Sequence, residues 1–159
     1  MRNPDDDIDL IQRLPRDLGD SMGELDFQNS PEYNDRWWSG IVHSSSRRST
    51  WFSATICEEE VARIHVEERS TIGGDYGVPR TPHAHLLEIP FFEVAVSHRG
   101  KGIGKRVIDL ITAAEPTASF AAFSEEADGF WASLGWSRFI RKDHEERPSM
   151  SRPLYILFR

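Results

Sequence analysis

A single cysteine, Cys57, three lysines and no long apolar run mark what this 159-residue sequence has little of. One cysteine excludes an internal disulfide and a cysteine-based metal cluster, so Cys57 is expected to be a small buried side chain. No stretch approaches the roughly 20 consecutive apolar residues of a membrane helix. Residues Met1 to Asp7 lack the apolar core of a secretory signal, and a cytoplasmic protein is expected. Positive charge is short as well. A net charge of −7 runs against general nucleic-acid binding, which needs a basic face to displace counterions. It suits cationic small-molecule or peptide partners. Repeats and low-complexity linkers are missing too, so one globular domain is expected over residues 31–159, behind an acidic, partly ordered arm at 1–30.

What is present centres on the stretch from Leu86 to Glu115. It reads as an apolar strand (Leu86 to Val94), a basic glycine-rich turn and an amphipathic helix. Two of the three lysines, Lys101 and Lys105, flank the glycines of that turn; the third is Lys142. A helix N-terminus offers unpaired N–H groups and the positive end of the macrodipole, so it suits an anion. Glycines allow the backbone a close approach and positive φ.

Around this stretch the periodicities predict a mixed α/β layer fold. Ile8, Leu10, Ile11 and Leu14, then Leu18, Met22 and Leu25, read as two weak helical faces. Ser30-Pro31 reads as a helix start, followed by Tyr33, Trp37, Trp38, Ile41 and Val42 on one face. Trp51 to Glu58 and Val61 to Val66 alternate as strands and form an antiparallel hairpin across Glu58-Glu59-Glu60. A loop rich in Gly, Pro and His follows, from Ser70 to His85, long enough to suggest a role in function. Beyond the central helix, which Pro116 stops, Ala118 to Phe123 reads as a buried strand parallel to the first. Ser124 is placed to cap a second helix with Ala127, Phe130, Trp131 and Leu134 inward and Gly135 as terminator. Arg138 to Arg141 and Leu154 to Phe158 close the chain as strands.

The glycine spacing separates phosphate-binding loops. A dinucleotide fingerprint requires a third glycine where Lys105 stands, and a P-loop requires Ser or Thr where Arg106 stands. Arg99-Gly100-Lys101-Gly102-Ile103-Gly104 fits Arg-x-x-Gly-x-Gly. With Val94 five residues before the arginine and Phe130-Trp131-Ala132-Ser133-Leu134-Gly135-Trp136 in the second helix, the chain resembles the GNAT superfamily of acyl-CoA-dependent N-acyltransferases. The likeness runs from about Trp51 to the C-terminus.

That resemblance implies an α/β single-domain mixed-sheet fold with splayed central parallel strands, acetyl-CoA as cosubstrate and an acetyl transfer to a primary amine by direct attack. The main chain of Val94, Ala95 and Val96 would meet the pantetheine arm. The N–H groups of Arg99, Gly100, Lys101, Gly102, Ile103 and Gly104 would hold the pyrophosphate, with Lys101 or Lys105 near outer phosphates. Ser124 stands in place of a frequent asparagine and can donate to the cofactor. Glu88, eleven residues before Arg99, takes the place of the catalytic glutamate in the histone-acetyltransferase branch; Glu93 is the other candidate base. Their strand parity is opposite, so a bulge is needed for both to face one pocket.

The sequence also departs from the family. The usual general-acid tyrosine is Trp131, whose indole only donates a hydrogen bond. Tyr76 is a candidate replacement. His83 and His85 lack further ligands at metal-site spacing, and no metal is expected. An acyl-CoA-binding regulatory domain without catalysis is the competing reading, and a homodimer is compatible with either. An enzyme that modifies RNA or a protein partner is a third, which the acidic charge disfavours.

Overall fold

The computed structural model describes residues 7–19, 22–25, 27–44, 48–79 and 85–159. The chain divides into two compact units, residues 1–67 with 91–111 and residues 68–90 with 112–159. Among the described residues, ten strands and three α-helices form. Seven strands make one mixed sheet in the order β1 (Asp9–Arg13), β5 (Ser49–Ile56), β6 (Glu59–Arg69), β7 (Leu86–Val94), β8 (Ser119–Phe123), β10 (Leu154–Leu157), β9 (Ser137–Phe139); β2 (Arg16–Gly19), β3 (Met22–Leu25) and β4 (Ile41–Ser44) make a small antiparallel one. No described helix is long and apolar enough to cross a membrane.

In the first unit, β5 (Ser49–Ile56) and β6 (Glu59–Arg69) are the expected hairpin. The turn is tighter than expected: only Cys57 and Glu58 intervene, with φ of 49° and 67°. A two-residue hairpin loop with both φ positive matches the twist of its strands, which is why the chain reverses here. Cys57 therefore sits at an exposed tip and not in the core. Val61, Ala62, Ala54 and the first turn of α2 (Ile103–Ala114) form one apolar cluster with Phe92 and Val94.

The N-terminal segments expected as helices are strands. β1 (Asp9–Arg13) pairs antiparallel with β5, Leu10 opposite Ala54. β2 (Arg16–Gly19) and β3 (Met22–Leu25) pair with each other, and β3 pairs with β4 (Ile41–Ser44). The long helix expected behind Pro31 shrinks to one turn, α1 (Asp35–Trp38). Gly40, at φ +63°, turns the chain out of it, and the β-branched Ile41 and Val42 pair with β3 instead. Ser30 accepts from the Glu32 N–H over a turn, while Asn34 caps the helix. Trp38, Tyr33, Phe27, Leu25, Trp51 and Ala95 make the second apolar cluster, so Tyr33 and Trp38 are core, with the half-buried Trp37 packed against them.

In the second unit, β7 (Leu86–Val94, shared with the first) runs parallel to β8 (Ser119–Phe123). Their ladder covers Leu86 to Glu88 against Ser119 to Ala121 and ends there. Pro90, which has no N–H to give, follows directly where that ladder has stopped. β10 (Leu154–Leu157) pairs with β8 and with β9 (Ser137–Phe139). The helix expected to start at Ser124 starts later: α3 spans Asp128–Ser133, and the Ser124 hydroxyl accepts from the Ala127 N–H ahead of it. Gly135, at φ +76°, follows that helix as expected.

Candidate functional site

The turn between β7 and α2 belongs wholly to the first unit. Val96–His98 forms a short 3-10 turn, and Gly100 and Gly102 then take φ of 71° and 77°. Glycine is favoured at both positions, because a side chain at positive φ crowds the backbone at a cost of about 1–2 kcal/mol. A Cβ built on either meets no heavy atom within 4 Å, so the space beside the backbone is open. The first helical bond runs from the Arg106 N–H to the Gly102 carbonyl at 3.2 Å. The N–H groups of Ile103, Gly104 and Lys105 ahead of it have no acceptor within the helix. They are followed by a twelve-residue helix whose macrodipole adds to their field. Lys101 is exposed, and Lys105 reaches Asp109 at 2.8 Å on the solvent side of the helix.

Two glutamates hold this turn in place. Glu32 accepts from both the N–H and the hydroxyl of Ser97, each at 2.8 Å, and its own carbonyl takes the Val96 N–H at 3.2 Å. The Ser97 N–H, then the Ser97 hydroxyl, hold the Glu32 carboxyl below the usual glutamate range. Ala95, almost fully buried, donates to the Val61 carbonyl at 2.9 Å. Glu93 has three donors: Oε2 accepts from the Asn34 N–H at 2.9 Å and the Trp38 indole at 2.8 Å, and Oε1 from Arg99 at 3.1 Å. Arg99 also donates through Nε to the Val94 carbonyl at 3.0 Å. Neither anchoring role was legible from the sequence. Apart from Arg99, six residues on, the partners lie 55 to 65 residues away, and no local spacing marks them.

The second unit carries the other candidates. Glu88 is buried, 9% exposed, and its Oε2 lies 3.1 Å from Arg69 Nε. Ser124 is buried, with its N–H on the Pro153 carbonyl at 2.8 Å and its hydroxyl on the Ala127 N–H. Trp131 is core, its ring 5.0 Å from both Phe130 and Trp136. Tyr76 donates to the Arg152 carbonyl at 2.8 Å and meets Phe123, the last residue of β8, edge-on at 5.6 Å. Burial pushes its phenol above the ordinary tyrosine value, so it keeps its proton at neutral pH. His85 gives its carbonyl to the Ser119 N–H, and His83 lies outside the described residues. Among the described residues no group of three or more His, Cys, Asp or Glu side chains could hold a metal ion.

No protein-family model matches the sequence, and no curated protein matches it. Among solved structures, the fold is similar to that of the Bacillus subtilis N-acetyltransferase YlbP in complex with coenzyme A. The TM-score is 0.51 at 14% identity, over 69% of this chain and 67% of that one. It is equally similar to an acetyltransferase from Thermus thermophilus, with a TM-score of 0.51 at 15% identity, over 69% of this chain and 64% of that one. The chain thus spans about two thirds of the length of each. At this identity the likeness is one of fold: the seven-stranded mixed sheet with its few helices is similar to that of these two acetyltransferases.

Proposed function

We propose that this chain is an acetyl-CoA-dependent N-acetyltransferase acting on a primary amine of a small molecule or peptide. The observation that carries the reading is the turn from Arg99 to Gly104. Two glycines at positive φ, open space beside them and a helix N-terminus converge on one place. Pyrophosphate oxygens would accept from those N–H groups, and Lys101 and Lys105 stand close enough in sequence to reach outer phosphates. Because the Val96 N–H already serves the Glu32 carbonyl, the strand-like contact to pantetheine falls on Val94.

The acetyl step joins the acceptor nitrogen to the thioester carbonyl carbon, passes through a tetrahedral oxyanion and breaks the C–S bond. A main-chain N–H of β7 past the end of the parallel ladder can serve that oxyanion. One proton leaves the amine, and the thiolate takes one up. For the base the geometry favours Glu88 over Glu93. Glu93 already accepts from the Asn34 N–H, the Trp38 indole and Arg99, whereas Glu88 stands beside Arg69, 3.1 Å away at the end of β6. A positioned base contributes about 10²–10⁴-fold. Trp131 cannot supply a proton from the core; Tyr76 can once it leaves the Arg152 carbonyl. A thiol with a pKa of about 8.5 also leaves tolerably without an acid.

Trp131 at the usual tyrosine position favours a second reading, an acyl-CoA-binding domain without turnover. Incubation with acetyl-CoA, a thiol reagent and a panel of amines separates the two. Amine-dependent thiol release is expected. CoA binding with no release for any amine supports the binding domain, and no CoA binding overturns both.

A further inference from the structure

The first unit contains a cavity of about 600 Å³ that includes none of residues 94–105. Its floor is the face of β1, β5 and β6 carrying Ile11, Ser53, Thr55 and Arg63; the chain from 28 to 33 walls it, and Glu58 and Glu59 stand at its rim. Arg63 is 3% exposed and already partnered. It donates to Glu60 at 2.7 Å and to the Gln28 carbonyl at 2.8 Å, and it lies over the Tyr33 and Phe27 rings. The Ser53 hydroxyl donates to the other Glu60 oxygen, so the buried charges cancel one another.

What remains for a ligand is different in kind. Thr55 is 7% exposed and lines the floor, and among the described residues its hydroxyl has no partner. A hydroxyl that lines a cavity is served by whatever occupies it, water or ligand. At the rim, Glu58 and Glu59 are exposed carboxylates, the latter 3.8 Å from His98 Nε2. With Glu32 they outnumber Arg13, the one lining cation besides Arg63 among the described residues, whose guanidinium sits 5.6 Å over the Phe27 ring.

We infer that this cavity binds a small organic cation, its ammonium groups held between the rim carboxylates Glu58 and Glu59 and the Thr55 hydroxyl. The test is calorimetry without CoA, which keeps its outcome independent of the acyl-CoA reading. The probes are 1,4-diaminobutane, its neutral isostere 1,4-butanediol and succinate. The diamine is expected to bind at about 1 mM or tighter, and the diol and diacid at least about tenfold more weakly. Replacing both Glu58→Gln and Glu59→Gln should weaken the diamine about tenfold or more. Thr55→Val should weaken it at an unchanged melting temperature, because the lost hydroxyl had no protein partner. The proposal is overturned by no diamine binding up to about 10 mM, by equal binding of the diol, or by unchanged affinity in the double variant. A Thr55→Val chain that is clearly less stable also overturns it, since the hydroxyl would then serve the fold.

Discussion

Gly102→Ala asks whether the β7–α2 turn binds a phosphate-bearing ligand or merely starts a helix. The structure separates the two consequences. Nothing lies within 4 Å of a Cβ at this position, so the fold loses only what it takes to force φ +77° on a residue with a side chain. That strain is about 1–2 kcal/mol, part of it returned because alanine also restricts the unfolded chain. For a chain of 159 residues a melting temperature lower by about 2–6 °C is expected. The ligand loses far more, because the new methyl fills the space through which pyrophosphate oxygens reach the N–H groups. Each hydrogen bond to a charged partner is worth about 1.5–3 kcal/mol. Losing two weakens CoA about 10²- to 10⁴-fold.

Gly135→Ala is the matched control. Gly135 has φ +76° and no neighbour within 4 Å of its Cβ, but it closes α3 far along the chain. It should show the same loss of melting temperature with CoA affinity unchanged. Calorimetric titration of CoA and a thermal melt on the three proteins settle the matter. Equal CoA affinity in wild type and Gly102→Ala would refute the site, and so would an equal loss in both variants.

The carboxylates divide by similar logic. Glu93→Gln leaves at least one of the Trp38, Asn34 and Arg99 donors unserved, at about 1–3 kcal/mol for a buried group, and should lower the melting temperature by about 2–12 °C. Glu88→Gln should turn over about 10²-fold more slowly or worse, at little change in CoA affinity; steady-state rates on the folded proteins decide which glutamate is the base. Glu32 adds a pH dependence. Its folded value is lowered from 4.5, so the tie to Ser97 is fully present above pH 4.5 and is lost as pH falls through the lowered value. Stability of Glu32→Gln should therefore fall less steeply than wild type below pH 4.5, and parallel acid titrations followed by circular dichroism would contradict this. Replacing Cys57-Glu58 by Asn-Gly relieves two non-glycine residues at positive φ, each costing about 1–2 kcal/mol. A melting temperature raised by about 2–8 °C is expected, and no gain would mean that the turn is not strained.

What the sequence revealed follows the range of the interactions. β5, β6, β7, β8, β10 and α2 lie close to their expected places, because alternation and 3.6-residue periodicity are local signals. The central turn is legible for the same reason: Gly100 and Gly102 announce positive φ without reference to anything distant. The N-terminal third is not. Ile8, Leu10 and Ile11 are spaced acceptably for a helix, and what makes residues 9–13 a strand is β5, some forty residues on. Likewise Tyr33, Trp37 and Trp38 do sit in or beside a helix and two of them are core, but Gly40 cuts it to one turn. Helix spacing alone gives little weight to a glycine that leaves the preceding pattern intact.

Glu93 carries the same lesson into the site. Strand parity assigned it a face, opposite to that of Glu88, and residue chemistry made it a candidate base. Neither could reveal that the Asn34 N–H, the Trp38 indole and Arg99 converge on one carboxylate. Once they do, its chemistry changes: a carboxylate with its lone pairs committed holds a geometry, and it is poorly placed to accept a substrate proton. The geometry it holds is that of the turn proposed to bind the cofactor. Through Arg99, Glu93 ties the end of β7 to the start of the glycine turn, and through Asn34 and Trp38 it ties both to α1. Glu32 does the same from the other side, through Ser97. Two carboxylates on distant parts of the chain thus fix a turn whose own glycines would leave it loose, and a turn fixed in advance loses less binding energy to being ordered by its ligand.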